Sequence, residues 1–259
     1  MLLTISSRSL QHVKRAKVPL APEDMPAFVA EELGLKGLNV ETGLLRGKGV
    51  AELERLRDRA DRARCPILVL LDDTPLDFAG PDAARAADRI GRLGLAASKL
   101  GAPNVAVELA DIPAERLDAV VIAVKRSLVA LDRFDAHLLL RPGTGHTADA
   151  QRLADLIKRI GGFRIGSMPS FARAAASGDA PAALRRLAPY AQAVEASIKA
   201  FSKAGKHDAW NLEECLEAVR AVGYQNTLGI DYAGKTDPVG AIERARDLLS
   251  AFLDPVEEA

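Results

Sequence analysis

The sequence has 259 residues, with 35 basic and 35 acidic side chains and an isoelectric point near 6.9. This balance gives no electrostatic reason to expect nucleic acid or an anionic membrane as a partner. The N-terminal residues MLLTISSRSL lack a basic leader with a long apolar core. No apolar run approaches the roughly 18 residues that would cross a bilayer. We therefore expect a cytoplasmic protein.

Length and cysteine content fit a single reduced domain. A barrel of alternating strands and helices needs about 250 residues, so the length does not demand two domains. We predict one domain covering residues 1–259. Cys65 and Cys215 lie far apart and lack the spacing of metal ligands. Free thiols in a reducing compartment are favoured over a disulfide for both.

Short apolar runs alternate with amphipathic segments along the chain. The runs predict eight strands, at residues 2–5, 38–41, 67–71, 105–109, 137–140, 163–167, 191–198 and 227–231. Helices are predicted at residues 26–33, 50–64, 81–100, 113–132, 148–160, 173–187 in short pieces, 211–222 and 238–253. This alternation favours a parallel sheet closed into a single (β/α)8 TIM barrel. An open doubly wound sheet is disfavoured because no glycine-rich nucleotide-binding motif follows the first strand.

The fifth strand ends on a charged residue. Arg141 follows the apolar residues 137–140 and precedes a turn that contains Pro142, Gly143 and Gly145. Long charged side chains are rarely buried without a partner, so Arg141 needs a carboxylate, a bound anion or water. The two glycines could present backbone N–H groups to a phosphate, although such a short pair is a weak signal.

In a (β/α)8 barrel the functional site lies at the C-terminal ends of the strands. The polar residues at these ends are Arg8, Glu41, Asp72, Asp73, Glu108, Arg141, Ser170, Glu195 and Asp231. Such a set can hold a divalent cation, move protons as acid and base, or form a salt-bridge network. Arg141 would oppose a second cation by a few kcal/mol at ~4 Å in an effective dielectric of about 20. All three alternatives stay open on the residues alone.

The histidines and the single tryptophan add little. No Ser-His-Asp, Cys-His or metal-binding histidine cluster emerges from the sequence. His137 lies inside an apolar strand, which predicts a core or wall residue. His146 lies on a strand-end loop, where it could contact a ligand or face solvent. Trp210 either lines the mouth of the barrel or pins the last loop to a helix, and we favour the second.

Several stretches together form a further pattern. Residues 37–41 are GLNVE, residues 165–171 are IGSMPSF and residues 228–234 are LGIDYAG. With residues 68–73, 100–107, 194–201 and 223–224, these stretches resemble the strand ends of the xylose isomerase-like barrels, the sugar phosphate isomerase/epimerase family. In that family the second stretch is similar to a segment ending Pro-Asp-Phe-Gly-Asn, and the third to a last strand carrying Ile-Glu-Tyr. The resemblance covers nearly the whole chain.

The resemblance implies where a metal would lie. The family holds a divalent metal by glutamate, aspartate, histidine and glutamate from the fifth to eighth strands. The matching positions are Arg141, Ser170, Glu195 and Asp231, with Ser197 as the alternative on the seventh strand. None matches in identity, which implies a degenerate metal site. A divalent metal (Mn, Mg, Co or Zn) is expected only if that site survives, with Glu195 and Asp231 as its ligands.

Three functional hypotheses remain, and two of them rank nearly equal. An isomerase or epimerase acting on carbohydrates would take its acids and bases from Glu41, Glu108, Glu195 and Asp231. Its substrate-binding residues would be Arg8, Arg141, Ser170 and His146. The other hypothesis, which we favour, is a non-catalytic pseudoenzyme that binds a small polar or anionic ligand at a mouth closed by Arg–carboxylate pairs. A metal-dependent isomerase comes third. Homo-oligomers are common for such barrels and would fit either hypothesis.

Overall fold

The computed structural model of the protein describes residues 1–202, 207, 209–234 and 236–253. Its eight central strands are β1 Leu2–Ser6, β2 Leu38–Glu41, β3 Ile67–Leu71, β4 Asn104–Glu108, β5 His137–Arg141, β6 Ile165–Ser167, β7 Ala193–Ile198 and β8 Thr227–Tyr232. The described helices are α1 Met25–Glu31, α2 Val50–Arg62, α3 Ala83–Leu100, α4 Leu117–Asp132, α5 Ala150–Ile160, α6 Phe171–Ala176, α7 Ala180–Leu187, α8 Leu212–Arg220 and α9 Pro238–Leu253. None of these helices combines the length and the apolar character that a membrane crossing requires.

The strands form one parallel sheet that closes on itself. Its order is β6-β5-β4-β3-β2-β1-β8-β7. Isolated parallel bridges join the two ends, between Ser167 and Ala191 and between Ser170 and Glu195. The Glu195 N–H also donates to the Pro169 carbonyl at 2.9 Å. The predicted (β/α)8 TIM-barrel fold is therefore confirmed.

Apolar side chains pack on both faces of the barrel wall. The interior cluster consists of Val69, Leu71, Ala106, Leu139, Met168 and Ala193. A larger cluster lies between the strands and the surrounding helices. Helix α5 contributes to it through Leu153, Ile157 and Ile160, which recur at helical spacing on one face. Burial on both faces explains why the strands are continuous aliphatic runs rather than alternating ones.

Glycines with positive φ angles limit regular structure at two places in the second half of the chain. The sixth strand begins at Ile165 rather than at residue 163, because Gly161 and Gly162 adopt positive φ angles of 68° and 93° and turn the chain first. The segment predicted as short helical pieces at 173–187 forms two helices, α6 and α7, which are separated at Gly178, whose φ is 90°. Positive φ is available to glycine at little cost, which is why these residues interrupt regular structure.

A small hairpin near the start of the chain was not predicted. Lys14–Arg15 pairs antiparallel with Val18–Pro19 to form a small hairpin outside the barrel sheet. Its turn residues Ala16 and Lys17 adopt positive φ angles of 48° and 70°. Tight hairpin turns of this kind normally carry asparagine, aspartate or glycine, so the residue types at this turn gave no signal.

Candidate functional site

A cavity of about 670 Å³ opens at the C-terminal ends of the strands, and we call it the mouth. Its volume lies within the range of roughly 300–1,000 Å³ that is typical of small-molecule sites. The sequence analysis assigned an acid–base or substrate-binding role to eight residues. Seven of them line the mouth, namely Arg8, Glu41, Glu108, Arg141, Ser170, Glu195 and Asp231. The sequence-based choice of strand ends therefore identifies residues that do lie together.

The two-residue period of a strand explains why these charged side chains meet. Leu139 and Ala193 belong to the interior cluster. Arg141 and Glu195 follow them by two positions on β5 and β7, and so point to the same side of the wall. Parallel pairing then places Glu108 on β4 directly beside Arg141. Strands β4, β5 and β7 thus carry an apolar residue inside the barrel and a charged residue two positions further towards the mouth.

Arg8 lies on a short 3-10 turn, Ser7–Leu10, that follows β1. Its Nε donates to Oδ1 of Asp231 at 3.0 Å, and its Nη2 donates to Oδ2 of the same carboxylate. The guanidinium also lies 3.6 Å from Glu41 Oε1 and 4.0 Å from Glu195 Oε1. Burial alone would lower the pKa of Arg8, but the hydrogen bond and the charge of Asp231 outweigh it and raise the pKa. Arg8 is therefore a fixed cation with three carboxylate neighbours.

Arg141 is the second cation of the mouth. Its Nη2 donates to Glu195 Oε2 at 3.1 Å, and its Nη1 lies 3.6 Å from Glu108 Oε1. The Arg141 side chain is mostly buried. Of the three partners expected for Arg141, namely a carboxylate, a bound anion or water, the chain itself supplies the first, through Glu195 and Glu108.

Arg173 is a third mouth cation that the sequence analysis did not select. It lies in the first turn of α6, where Ser170 Oγ accepts the Arg173 backbone N–H at 3.3 Å and caps the helix. Its Nη2 lies 3.5 Å from Glu108 Oε1, and the side chain lines the mouth. The signal that could have identified it is the position of a basic residue three places after a strand-end serine.

Glu195 is the most deeply placed carboxylate of the mouth. Its side chain is almost fully buried, and Ser197 Oγ donates to Oε1 at 3.2 Å. Burial, reinforced by the charge of Asp231, raises the pKa of Glu195 to about 7 despite the neighbouring guanidinium groups. The pKa of Glu41 is also raised, mainly by burial, while the charge of Arg8 opposes the rise. Two carboxyl groups of the mouth are thus easier to protonate than free glutamate.

The acidic turn after β3 is neutralised by its own cations. Arg89 on α3 donates from Nε and Nη2 to the two oxygens of the buried Asp72. The Thr42 hydroxyl lies 3.2 Å from Asp72 Oδ1 and 3.0 Å from Asp73 Oδ1. Arg46 Nη2 donates to Asp73 Oδ2 at 3.3 Å. This turn lines the mouth as a wall whose charges are already paired.

His146 does not reach the mouth, contrary to its selection as a substrate-binding residue. It lies on the 3-10 turn Gly145–Ala148, its backbone N–H donates to Asp111 Oδ1 at 2.9 Å, and it is absent from the cavity lining. Burial, followed by the charge of Arg152, lowers the pKa of His146. His137 is partly buried at the first residue of β5, away from the mouth.

Trp210 lies at the mouth, whereas the sequence analysis favoured a role in pinning the last loop to a helix. Its side chain lines the mouth and also packs on the His207 ring at a centroid distance of 4.7 Å. The His207 ring in turn accepts the Lys199 backbone N–H at 3.1 Å. The tryptophan therefore lines the mouth, the alternative that the sequence analysis did not favour, and its ring contact is with another loop residue.

The two carboxylates that the resemblance implies as metal ligands, Glu195 and Asp231, are both paired with arginines. Within the part of the chain that the structure describes, no group of three or more His, Cys, Asp or Glu side chains is arranged to hold a metal ion. Both oxygens of Asp231 accept from Arg8, and Glu195 accepts from Arg141. Ser170 is engaged in capping α6. A cation here would have to displace a guanidinium from each carboxylate and would meet its positive charge at close range.

Comparisons with known proteins identify the fold. No family model matches the chain, and no curated protein matches it. Among solved structures, an L-ribulose 3-epimerase shares 15% identity at a TM-score of 0.82, over 98% of this chain and 95% of its own. A xylose isomerase domain protein from Planctomyces limnophilus shares 15% identity at a TM-score of 0.72, over 90% and 93% of the two chains. The IOLI protein, with a binding zinc atom, shares 12% identity at a TM-score of 0.75, over 100% of both chains.

At these identities the likeness shows the fold alone. The chain has the xylose isomerase-like TIM-barrel fold, as the resemblance of its strand ends predicted. Its structural neighbours include a xylose isomerase domain protein and an L-ribulose 3-epimerase.

Proposed function

We propose that this barrel binds a small polar or anionic carbohydrate at its mouth and does so without a divalent metal. In this proposal the chain is a divergent, non-catalytic member of the xylose isomerase-like barrels. The observation that carries it is the hydrogen bond from Arg141 to Glu195 at 3.1 Å. The resemblance implies a metal-binding glutamate at the position of Arg141. In this chain an arginine replaces that metal-binding anion and holds a neighbouring carboxylate, Glu195.

The polarity of the mouth supports a carbohydrate ligand. A sugar hydroxyl both donates and accepts hydrogen bonds, and it therefore needs donors and acceptors side by side. The mouth supplies guanidinium donors from Arg8 and Arg141, carboxylate acceptors from Glu41 and Glu108, and the Ser197 hydroxyl. Trp210 adds an apolar surface at the same cavity. The volume of about 670 Å³ accommodates a monosaccharide or its phosphate.

A second candidate is an isomerase or epimerase that moves protons without a metal. Its supporting observation is Glu195, whose pKa is raised to about 7 by burial and by Asp231. A carboxyl group with a pKa near the working pH can both accept and donate a proton, which is the requirement for acid–base catalysis. Glu41, with its raised pKa on the far side of Arg8, is the partner that such a reaction would use.

The binding proposal is tested by calorimetry and thermal shift with a panel of sugar phosphates and sugar acids. We expect saturable binding of at least one ligand in the absence of added metal. The variant Arg141→Ala should lose it, whereas Arg57→Ala, an exposed arginine on α2, should not. Because Arg141→Ala leaves Glu195 without a partner, Arg141→Met combined with Glu195→Gln serves as a second, charge-balanced variant. Unchanged ligand-induced shifts in both would show that Arg141 has only a structural role.

The catalytic alternative has its own readout. Keto and aldo sugars are incubated with the protein in ²H₂O, and NMR follows deuterium incorporation at the carbon beside the carbonyl. Incorporation that Glu195→Gln abolishes would establish proton transfer and overturn the non-catalytic proposal. Absence of incorporation from a sugar that binds at the mouth would support it.

A further inference from the structure

The three arginines of the mouth differ in how completely the chain satisfies them. Arg8 faces three carboxylates and makes two hydrogen bonds to one of them. Arg141 faces two carboxylates, and only 16% of its side chain is exposed. Arg173 faces Glu108 alone at 3.5 Å, and within the described residues its guanidinium makes no hydrogen bond. Its side chain is 45% exposed.

The charges form an ordered series across the mouth. From β8 towards α6 the series alternates in sign, through Asp231, Arg8, Glu195, Arg141, Glu108 and Arg173. Asp231 ends the series as a buried anion with both oxygens engaged. Arg173 ends it as a cation with most of its five N–H donors unused. The open end of the network is therefore positive.

The position of Arg173 is fixed although its side chain is exposed. The Ser170 side chain caps the first turn of α6. The backbone of Ser170 itself pairs with Glu195 on β7, so the start of the helix is held against the barrel wall. Glu108 Oε1 lies 3.5 Å from Arg173 Nη2 and 3.6 Å from Arg141 Nη1. Two guanidinium groups thus converge on one carboxylate oxygen, so Arg173 shares its carboxylate partner with Arg141 and is only partly neutralised by it.

We propose that Arg173 is the residue of the mouth that binds an oxyanion of the ligand, either a carboxylate or a phosphate. The proposal rests on the ligand-binding function proposed above and assigns the ligand's charged end to the α6 side. Arg8 and Arg141 then hold the carboxylates in place, and the hydroxyl groups of the ligand meet those carboxylates. A planar guanidinium fork suits bidentate contact with either anion, so a lysine at this position would be a poorer substitute.

Calorimetry on the full chain tests this assignment with three probes that share one sugar ring: D-glucose, D-glucuronate and D-glucose 6-phosphate. We expect the wild type to bind the anionic probes more tightly than glucose. Arg173→Ala should weaken the anionic probes roughly ten- to hundred-fold, the effect of losing a hydrogen bond to a charged group, and leave glucose within about two-fold. The affinity of Arg173→Lys for the anionic probes should lie between those of wild type and Arg173→Ala. The two anionic probes distinguish carboxylate from phosphate.

The matched control is Arg159→Ala. Arg159 lies on α5 outside the mouth, its side chain is 44% exposed, and it pairs with a single carboxylate, Asp118. It should not change the affinity for any probe. If the anionic probes bind wild type and Arg173→Ala equally, the assignment of Arg173 is overturned while the proposed function stands. If neither these probes nor any member of the wider panel binds wild type, the proposed function is overturned, and the sugar-independent measurement then decides the assignment.

A sugar-independent measurement keeps the assignment testable on its own. Phenylglyoxal modifies accessible guanidinium groups, and mass spectrometry reports the rate at each arginine. We expect Arg173 to react at least ten-fold faster than Arg8 and Arg141, whose donors are engaged, and inorganic phosphate to protect Arg173 selectively over Arg159. Faster reaction of Arg141, or phosphate protection that is equal at Arg173 and Arg159, would overturn the assignment.

Discussion

Arg8 and Asp231 join the first and last strands of the barrel at its mouth, although 223 residues separate them in the chain. The guanidinium donates to both oxygens of the carboxylate, with Nε at 3.0 Å from Oδ1. Asp231 is almost fully buried, so the pair gives this carboxylate the counter-charge that its position requires. The pair therefore contributes to closing the barrel as well as to shaping the mouth.

Removing the arginine of this pair should destabilise the fold. In Arg8→Ala the buried Asp231 loses both hydrogen bonds, which costs about 3–5 kcal/mol for a fully buried pair. Because the Arg8 side chain is 42% exposed, solvent screening reduces the expected loss to about 1–3 kcal/mol. Urea unfolding monitored by circular dichroism measures it. The double variant Arg8→Ala with Asp231→Asn should recover part of the loss, and a single variant as stable as wild type would contradict the role of the pair.

Stability should depend on pH through Glu195. The pKa of Glu195 is raised from 4.5 to about 7, so the folded protein binds a proton more tightly than the unfolded chain does. The stabilisation from this group is therefore complete below about pH 4.5 and is lost as the pH rises through about 7. Through this group the free energy of unfolding should fall by about 3 kcal/mol between these pH values and higher pH.

The test compares wild type with Glu195→Gln. The free energy of unfolding is measured by urea titration at pH values between 5 and 8. The wild type should lose stability relative to the variant as the pH rises, since glutamine cannot ionise. A smaller slope remains in the variant because the pKa of Glu41 is also raised. Parallel curves for the two proteins would rule out the raised pKa of Glu195.

Metal binding at the mouth should be weak. Calorimetric titration with Mn²⁺, Mg²⁺, Co²⁺ and Zn²⁺ is expected to show no sub-millimolar binding that depends on Asp231. The reason is that both oxygens of Asp231 are held by Arg8. Sub-millimolar binding that Asp231→Ala abolishes, and that Asp155→Ala on the exposed face of α5 does not, would show that a metal site is present after all.

The strand ends could be predicted from the sequence, whereas the pairing between them could not. Glu41, Glu108, Glu195 and Asp231 follow aliphatic runs, and the convergence of parallel strand ends then brings them together. Which carboxylate Arg141 would contact depends on side-chain rotamers across three strands. Sequence spacing does not contain that information.

Residues outside the strands were harder to place. Arg173 enters the mouth from the first turn of a helix, and the helical spacing of its segment does not show which way that turn faces. Arg89 reaches Asp72 from the middle of α3, which depends on how that helix packs on β3. His146 was selected because its loop follows β5, but a hydrogen bond to Asp111 directs the loop elsewhere.

The ion pair between Arg89 and Asp72 should stabilise the fold more than the exposed pair between Arg46 and Asp73 does. The Asp72 side chain is fully buried and depends on Arg89, which is 31% exposed. Arg89→Ala should therefore cost about 2–4 kcal/mol, because it leaves a buried charge unpaired. Arg46→Ala removes an 80% exposed arginine from Asp73 and should cost less than about 0.5 kcal/mol. Equal losses in the two variants, measured by urea unfolding, would contradict this ranking.

Gly229 should tolerate no side chain, because it lies inside the barrel on β8. A Cβ at this position would lie 2.6 Å from Asn39 Nδ2 on β2 and 3.1 Å from Thr4 Oγ1 on the neighbouring strand β1, and both of these residues are buried. Gly229→Ala should therefore cost about 1–3 kcal/mol through overpacking. The matched control is Gly91→Ala on α3, where a Cβ meets nothing within 4 Å. That variant should gain about 0.5–1 kcal/mol from helix propensity. Thermal unfolding of both variants measures the contrast, and a Gly229→Ala protein as stable as wild type would show that the interior can rearrange around the added methyl group.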